Sequence, residues 1–121
     1  MTGRVKKTNP RLTSLITTLK DASRTGEVKI WRDIANRLEA STSAHAEVNI
    51  SKINRYAAEG ETIIVPGKVL GSGMLNQSVR VAALNFSESA VSKIAGAQGT
   101  CMSIEELLAD NPKGSRVRIL R

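Results

Sequence analysis

The residues of this chain closest to an enzymatic signature are His45-Ala46-Glu47. A histidine that binds zinc, followed two residues later by a glutamate that moves protons, is the first half of the zinc-deaminase pattern, and a Cys-x-x-Cys pair completes it. The chain has one cysteine, Cys101, and one histidine. Three or four soft ligands cannot be assembled from these two. His45 is therefore read as a hydrogen-bonding loop residue or a contact to a polyanion. A lone cysteine also excludes an intramolecular disulfide and fits a reducing, intracellular setting.

A second cluster of chemical interest is Pro66-Gly67-Lys68-Val69-Leu70-Gly71-Ser72-Gly73. It holds a Gly-Lys pair, but a nucleotide-binding loop needs Gly-Lys-Ser/Thr at its carboxyl end, leading straight into a helix. Here Val69 follows the lysine. The segment is read as an irregular loop between two strands. Its glycines either permit unusual backbone angles or let the bare backbone approach a phosphate while Lys68 supplies charge.

The charge distribution carries the functional argument. Arg4, Lys6, Lys7 and Arg11 stand at one end of the chain, and Lys113, Arg116, Arg118 and Arg121 at the other, with no acid among either group. The rest is nearly balanced, so the formal net charge of +7 belongs to the ends. Basic terminal segments around a neutral body suit a polyanion, because cations that neutralise phosphates release condensed counterions. Aromatic residues make up only 2% of the chain. Binders of unstructured single strands stack bases on several aromatic rings, so structured RNA, held by phosphate and shape, is the expected partner. A DNA-binding or chromatin-like protein is the alternative, but it would want an arginine-rich recognition helix, and the helical segments here mix acids with their basic residues.

These residues need a scaffold, and 121 residues suffice for one domain with a basic arm at 1–9 and a basic segment at 113–121. Asn9 and Pro10 read as the cap and first position of a helix to about Arg24, with Leu12, Leu15, Ile16 and Leu19 on one face. Gly26 should end it. Trp31, Ile34, Ala35 and Leu38 define a second helix over about 28–40, forming a hairpin with the first. Ile50, Ile53 and Ala57 suggest a short third helix capped by Ser51 and stopped by Gly60. Strands are expected at Thr62–Val65, Val79–Leu84 and Val117–Leu120. A helix over 88–95 should bury Val91, Ile94 and Ala95. Ser103-Ile104-Glu105-Glu106 matches a capping box for a last helix that Pro112 stops. On the final strand, Arg116 and Arg118 should share one face. The fold class is α/β: an N-terminal helical hairpin on a small sheet of strands alternating with short helices. The longest apolar run, Val81–Leu84, is too short for a membrane span or a signal-peptide core, so a cytoplasmic protein is expected.

Five segments then carry a resemblance: Lys7-Thr8-Asn9-Pro10-Arg11-Leu12, His45-Ala46-Glu47-Val48-Asn49, Ile53-x-Arg55-Tyr56-Ala57, the Pro66–Gly73 segment, and Asn111-Pro112-x-Gly114-Ser115. Together, in this order, the chain resembles the archaeal branch of the large-subunit ribosomal protein eighteen-e family, which is related to bacterial large-subunit ribosomal protein fifteen. The resemblance implies a non-catalytic, structural component of the large ribosomal subunit with an α/β fold. Its partners would be large-subunit rRNA and neighbouring ribosomal proteins, with no cofactor, metal, membrane or small-molecule substrate. It also implies that the N-terminal segment, the glycine loop and the Lys113–Arg116 turn face RNA. The candidate RNA-binding residues are Arg4, Lys6, Lys7, Asn9 and Arg11; His45, Asn49, Lys52 and Arg55; Lys68, Gly71, Ser72 and Gly73; and Lys113, Gly114, Ser115, Arg116 and Arg118.

Overall fold

The computed structural model describes residues 9–41 and 44–121. The candidates Arg4, Lys6 and Lys7 therefore lie outside the described residues. Helix α1 (Pro10–Gly26) begins as its sequence predicts: Asn9 has extended backbone and its side chain accepts from the N–H groups of Arg11 and Leu12, with Pro10 in the first turn. The helix runs past Arg24. Gly26 is its last residue rather than its stop, and Glu27 takes the left-handed capping conformation instead. Helix α2 (Lys29–Glu39) buries Trp31, Ile34, Ala35 and Leu38 in one cluster with Leu15 and Leu19 of α1. The indole N–H of Trp31 donates to the Pro112 carbonyl at 2.7 Å, which satisfies the one polar atom of a fully buried ring.

Two strands that the sequence reading passed over join the three it expected: β1 (Ala46–Asn49) and β4 (Thr100–Ser103). With β2 (Thr62–Leu70), β3 (Arg80–Phe86) and β5 (Val117–Ile119) they form one five-stranded sheet in which every pairing is parallel. Strand β3 lies on one edge of β2, and β5 and β1 share the other, end to end. β5 pairs with Thr62–Ile64, and β1 with Gly67–Leu70. A cavity of about 250 Å³ marks the gap between them, bordered by Ala46, Pro66 and Arg121.

The Pro66–Gly73 segment is thus not a loop throughout. Pro66 to Leu70 continue β2, and only Gly71–Gly73 stays irregular. Pro66, which has no N–H to donate, sits where the strand changes partner, and the register to β3 shifts between Val65 and Lys68. Gly67 stands opposite Ala46 in the β1 ladder, and a Cβ there would overlap the Ala46 carbonyl oxygen. Proline and glycine, read as loop signals, here fit a strand switch and a close approach of backbone.

Helices cover both faces of the sheet, as a parallel sheet requires. Ile64, Ala82 and Met102 cluster with α1, α2 and α5 (Ile104–Asp110), while Ile63, Val65, Val81 and Ala83 cluster with α3 (Ile50–Tyr56) and α4 (Glu88–Gly96). The alternation along each strand sorts the two cores. Ser103 and Glu106 form the expected capping box. Two expectations shift in phase. α3 starts at Ile50, so Ser51 is not its cap. In α4 the buried pair is Ala90 and Ile94, and Val91 and Ala95 are exposed, because Ser87 caps the helix and the stripe at i, i+4 faces the sheet.

The ion pairs of Arg11 and Arg118 join segments far apart in the chain. Arg11 of α1 makes two hydrogen bonds to the Glu105 carboxylate, at 2.8 and 3.1 Å, and a third to the Leu84 carbonyl at 2.9 Å. Arg118 of β5 binds Glu61 at 2.9 Å. The hydrogen bonds from these arginines hold both carboxyls below their ordinary 4.5. A carboxyl with a lower pKa folded than unfolded adds stability that is complete above its unfolded value and is lost as pH falls through its folded one.

Two predictions follow from this packing. Gly67→Ala should cost about 1–3 kcal/mol, whereas Gly96→Ala, whose new Cβ meets nothing within 4 Å, should be neutral or stabilising by up to about 1 kcal/mol; urea unfolding of both variants measures the contrast. Thermal unfolding midpoints should hold from neutrality down to about pH 5 and fall below it. In Glu105→Gln the acid limb should be shallower, and an acid limb identical to the parent's would contradict the Arg11 anchor.

Candidate nucleic-acid interface

In an all-parallel sheet the segments leaving the strands collect at one end and those entering collect at the other. Nine described candidates sit in or beside elements at the carboxyl end or along the adjoining edge: Asn9, Arg11, His45, Asn49, Lys52, Lys68, Gly71, Ser72 and Gly73. Two adjoining cavities, of about 110 and 170 Å³, share His45, Leu84 and Asn85. The first adds Asn9, Arg11 and Leu12, and the second adds Glu47, Gly67 and Lys68. They make one shallow groove over the β1–β2–β3 surface. Lys68 is exposed in it and donates to no protein acceptor among the described residues. Across the β1 ladder it is in register with Glu47, but the two make no ion pair within 4.0 Å among the described residues. His45 Nε2 donates to the Leu38 carbonyl at 3.0 Å. That bond positions the ring as a fold contact, and Cys101, the chain's one thiol, is on β4 with β2 and β3 between it and β1. Among the described residues no three His, Cys, Asp or Glu side chains are grouped to hold a metal ion. Burial pushes the Cys101 thiol above its ordinary value.

The amino end of the sheet holds the second group. Lys113, Gly114, Ser115 and Arg116 lie just before β5, and Arg55 lies in the last turn of α3. The turn is built by Asn111, whose side chain donates to the Ser115 carbonyl at 2.8 Å and accepts from the Ser115 N–H at 3.2 Å. Gly114, at φ 66°, lies on α2, where an added Cβ would come within 2.7 Å of Ile30. Trp31 grips the Pro112 carbonyl. Lys113 is left exposed on this braced turn with no protein acceptor among the described residues.

Several terminal cations have partners that chain order hides. Arg11 is paired with Glu105 and Arg118 with Glu61, so the expectation of terminal charge without acids nearby holds along the chain but not in space. Arg116 does not share a strand face with Arg118. It precedes β5 in the left-handed conformation at φ 57°, its guanidinium donates to the Gly60 and Glu59 carbonyls at 3.0 Å, and its own carbonyl accepts from Thr62 at 2.9 Å. Lys52 donates to the Arg121 carbonyl. Arg55 lies 6.0 Å from the Tyr56 ring centroid, and that ring is exposed.

The glycine loop is tied on both sides. The Ser72 carbonyl accepts from the Ser51 N–H at 3.1 Å, and Lys93 of α4 donates to the Gly71 and Gly73 carbonyls at 2.5 and 2.6 Å. A Cβ at Gly71 would overlap Ser89, and one at Gly73, which has φ +102°, would overlap Ser51. Replacing either glycine therefore perturbs folding first, and Lys68 is the cleaner probe of binding. The sequence reading missed Asn85, which shares the groove with His45 and Lys68, and Lys93. Asn85 interrupts an apolar strand just before its end, a signal that was available. Lys93 looks like any exposed helical lysine, because its partners lie 20 and 22 residues away.

Comparison with known proteins gives these features a family. Over its full length the chain is 97% identical to a protein of Methanosphaerula palustris called large ribosomal subunit protein eL18, which it also covers completely. It is 53% identical over 117 residues to the protein of that name from Halobacterium salinarum, covering 97% of this chain and all of that protein. The protein of that name from Archaeoglobus fulgidus is 52% identical over 116 residues, with 96% and 99% of the two chains covered. A family model described as ribosomal protein 60S L18 and 50S L18e matches residues 2–121, and the chain belongs to that family.

Proposed function

We propose that this protein is a structural, non-catalytic constituent of the large ribosomal subunit that binds large-subunit rRNA at both ends of its sheet. The observation that supports the reading is that exposed, unengaged lysines stand on braced backbone at both ends of the sheet: Lys68 over the groove at one end and Lys113 on the Asn111 turn at the other. Two such points at opposite ends of a rigid sheet let one protein hold two RNA segments. Arg11, Arg116 and Arg118, engaged with protein groups, would contribute field and shape rather than a free charge. Asn9, His45, Asn49, Gly114 and Ser115 would add hydrogen bonds to phosphate and ribose, and Arg4, Lys6 and Lys7 would add cationic charge. The paucity of aromatic residues supports RNA that is already folded. The proposed setting is the large subunit, in the cytoplasm, beside neighbouring ribosomal proteins.

Sedimentation of the tagged protein from lysate tests the assignment: it should travel with large subunits, and protein left at the top of the gradient would overturn it. Binding to purified large-subunit rRNA should weaken steeply with salt. Lys68→Ala and Lys113→Ala should each reduce the slope of log affinity against log salt by about 0.7–0.9 while leaving the unfolding curve unchanged. Truncation is a poor substitute, since removing residues 113–121 takes away β5 and the buried Leu120. Unchanged slopes in both lysine variants would remove these residues from the interface.

A further inference from the structure

Three side chains on neighbouring strands form a row that no described protein group satisfies. Glu47 of β1 is in register with Lys68 of β2, and Lys68 with Asn85 of β3. Residues in register across parallel strands put their side chains on one face, and these three line the same cavity of about 170 Å³. All three are exposed, and among the described residues none of their side chains has a hydrogen bond or ion pair within the protein. Glu47 is the one acid lining the groove among the described residues.

A carboxylate is an unexpected group where a polyanion is to sit. It repels phosphate, it only accepts hydrogen bonds, and covering it without a donor is costly. RNA donates N–H and O–H groups from its bases and its 2′-hydroxyls. The two oxygens of a carboxylate are best met by two donors side by side. A 2′-hydroxyl offers one. The adenine and cytosine amino groups each stand beside a ring nitrogen that accepts, and the uracil N3–H lies between two carbonyls. Guanine presents N1–H and its N2 amino group next to each other, with O6 beside them as an acceptor. That edge is open where guanine is unpaired, which is where proteins read RNA bases on their Watson–Crick side.

We infer that Glu47 accepts from N1–H and N2–H of one unpaired guanine in large-subunit rRNA, with the Asn85 amide donating to its O6. Lys68 keeps its role toward phosphate and offsets the charge of Glu47 against the RNA backbone. This rests on the rRNA-binding reading and deepens it: the groove selects a base as well as gripping phosphate, through two residues outside the sequence-derived set.

The sign of one substitution separates a guanine contact from an acid that merely borders the interface. Glu47→Gln removes a negative charge facing RNA, which by itself should tighten binding to purified large-subunit rRNA. A guanine contact predicts the opposite: about 10- to 100-fold weaker binding, as for losing hydrogen bonds to a charged group, with thermal unfolding like the parent's. Unchanged or tighter binding would overturn the inference. A 1,2-dicarbonyl reagent that adds across guanine N1 and N2 gives a second readout, and its first arm needs no variant. Saturating full-length parent protein should shield one reactive guanine in that rRNA, and saturating Glu47→Gln should leave the same guanine open. If the parent shields no guanine, or the variant shields it equally, Glu47 does not read guanine. Parent protein that fails to bind rRNA at all would instead defeat the broader reading.

Discussion

The structure depends on a single strand that must serve three partners. β2 gives one edge to β3 and divides the other between β5 and β1. A regular strand could satisfy either neighbour alone, but changing partners partway needs a residue that makes no ladder donation and a backbone that a second strand can approach. Pro66 and Gly67 occupy those two positions. From this switch follow the cavity beside Arg121, the shift in register to β3 and the closeness of β1, which carries Glu47 and Asn49 and follows His45 directly.

The same parallel arrangement separates the cations. Parallel strands put every exit at one end of the sheet and every entry at the other, so the glycine loop and the Lys113 turn are held at opposite ends of a double-faced core. Surface ion pairs contribute little to stability, typically about 0–1 kcal/mol. The value of Arg11–Glu105 and Arg118–Glu61 is therefore geometric: they fix where α1 begins and how β5 lies. Backbone bracing does the same for Arg116 and for the Gly71–Gly73 loop. Lys68 and Lys113 are among the charges left directed to solvent, and each stands on rigid backbone.

Local signals in the sequence were read well where a single residue's chemistry decides the structure. The Asn9–Pro10 start of α1, the Ser103 capping box and the Trp31 stripe need only a few neighbouring residues, and all three are present. The misses are long-range. β1 and β4 have four residues each, too few to show a period, and their strand character comes from the ladders beside them. Proline and glycine in β2 look like punctuation unless the partner strands are known. Of the candidate site, the residue types and the groove's main lysine were legible, but the acids that pair with Arg11 and Arg118 lie 94 and 57 residues away. Charge patterning along the chain carries no trace of such pairs.

The central claim is that both ends of the sheet are covered by RNA in the assembled particle. Amine acylation followed by mass spectrometry measures this directly, comparing Lys68 and Lys113 in the free protein and in intact large subunits. Both lysines should react readily in the free protein and be protected in the subunit, with protection lost after ribonuclease digestion. Reactivity retained at both positions in intact subunits would contradict the two-ended grip.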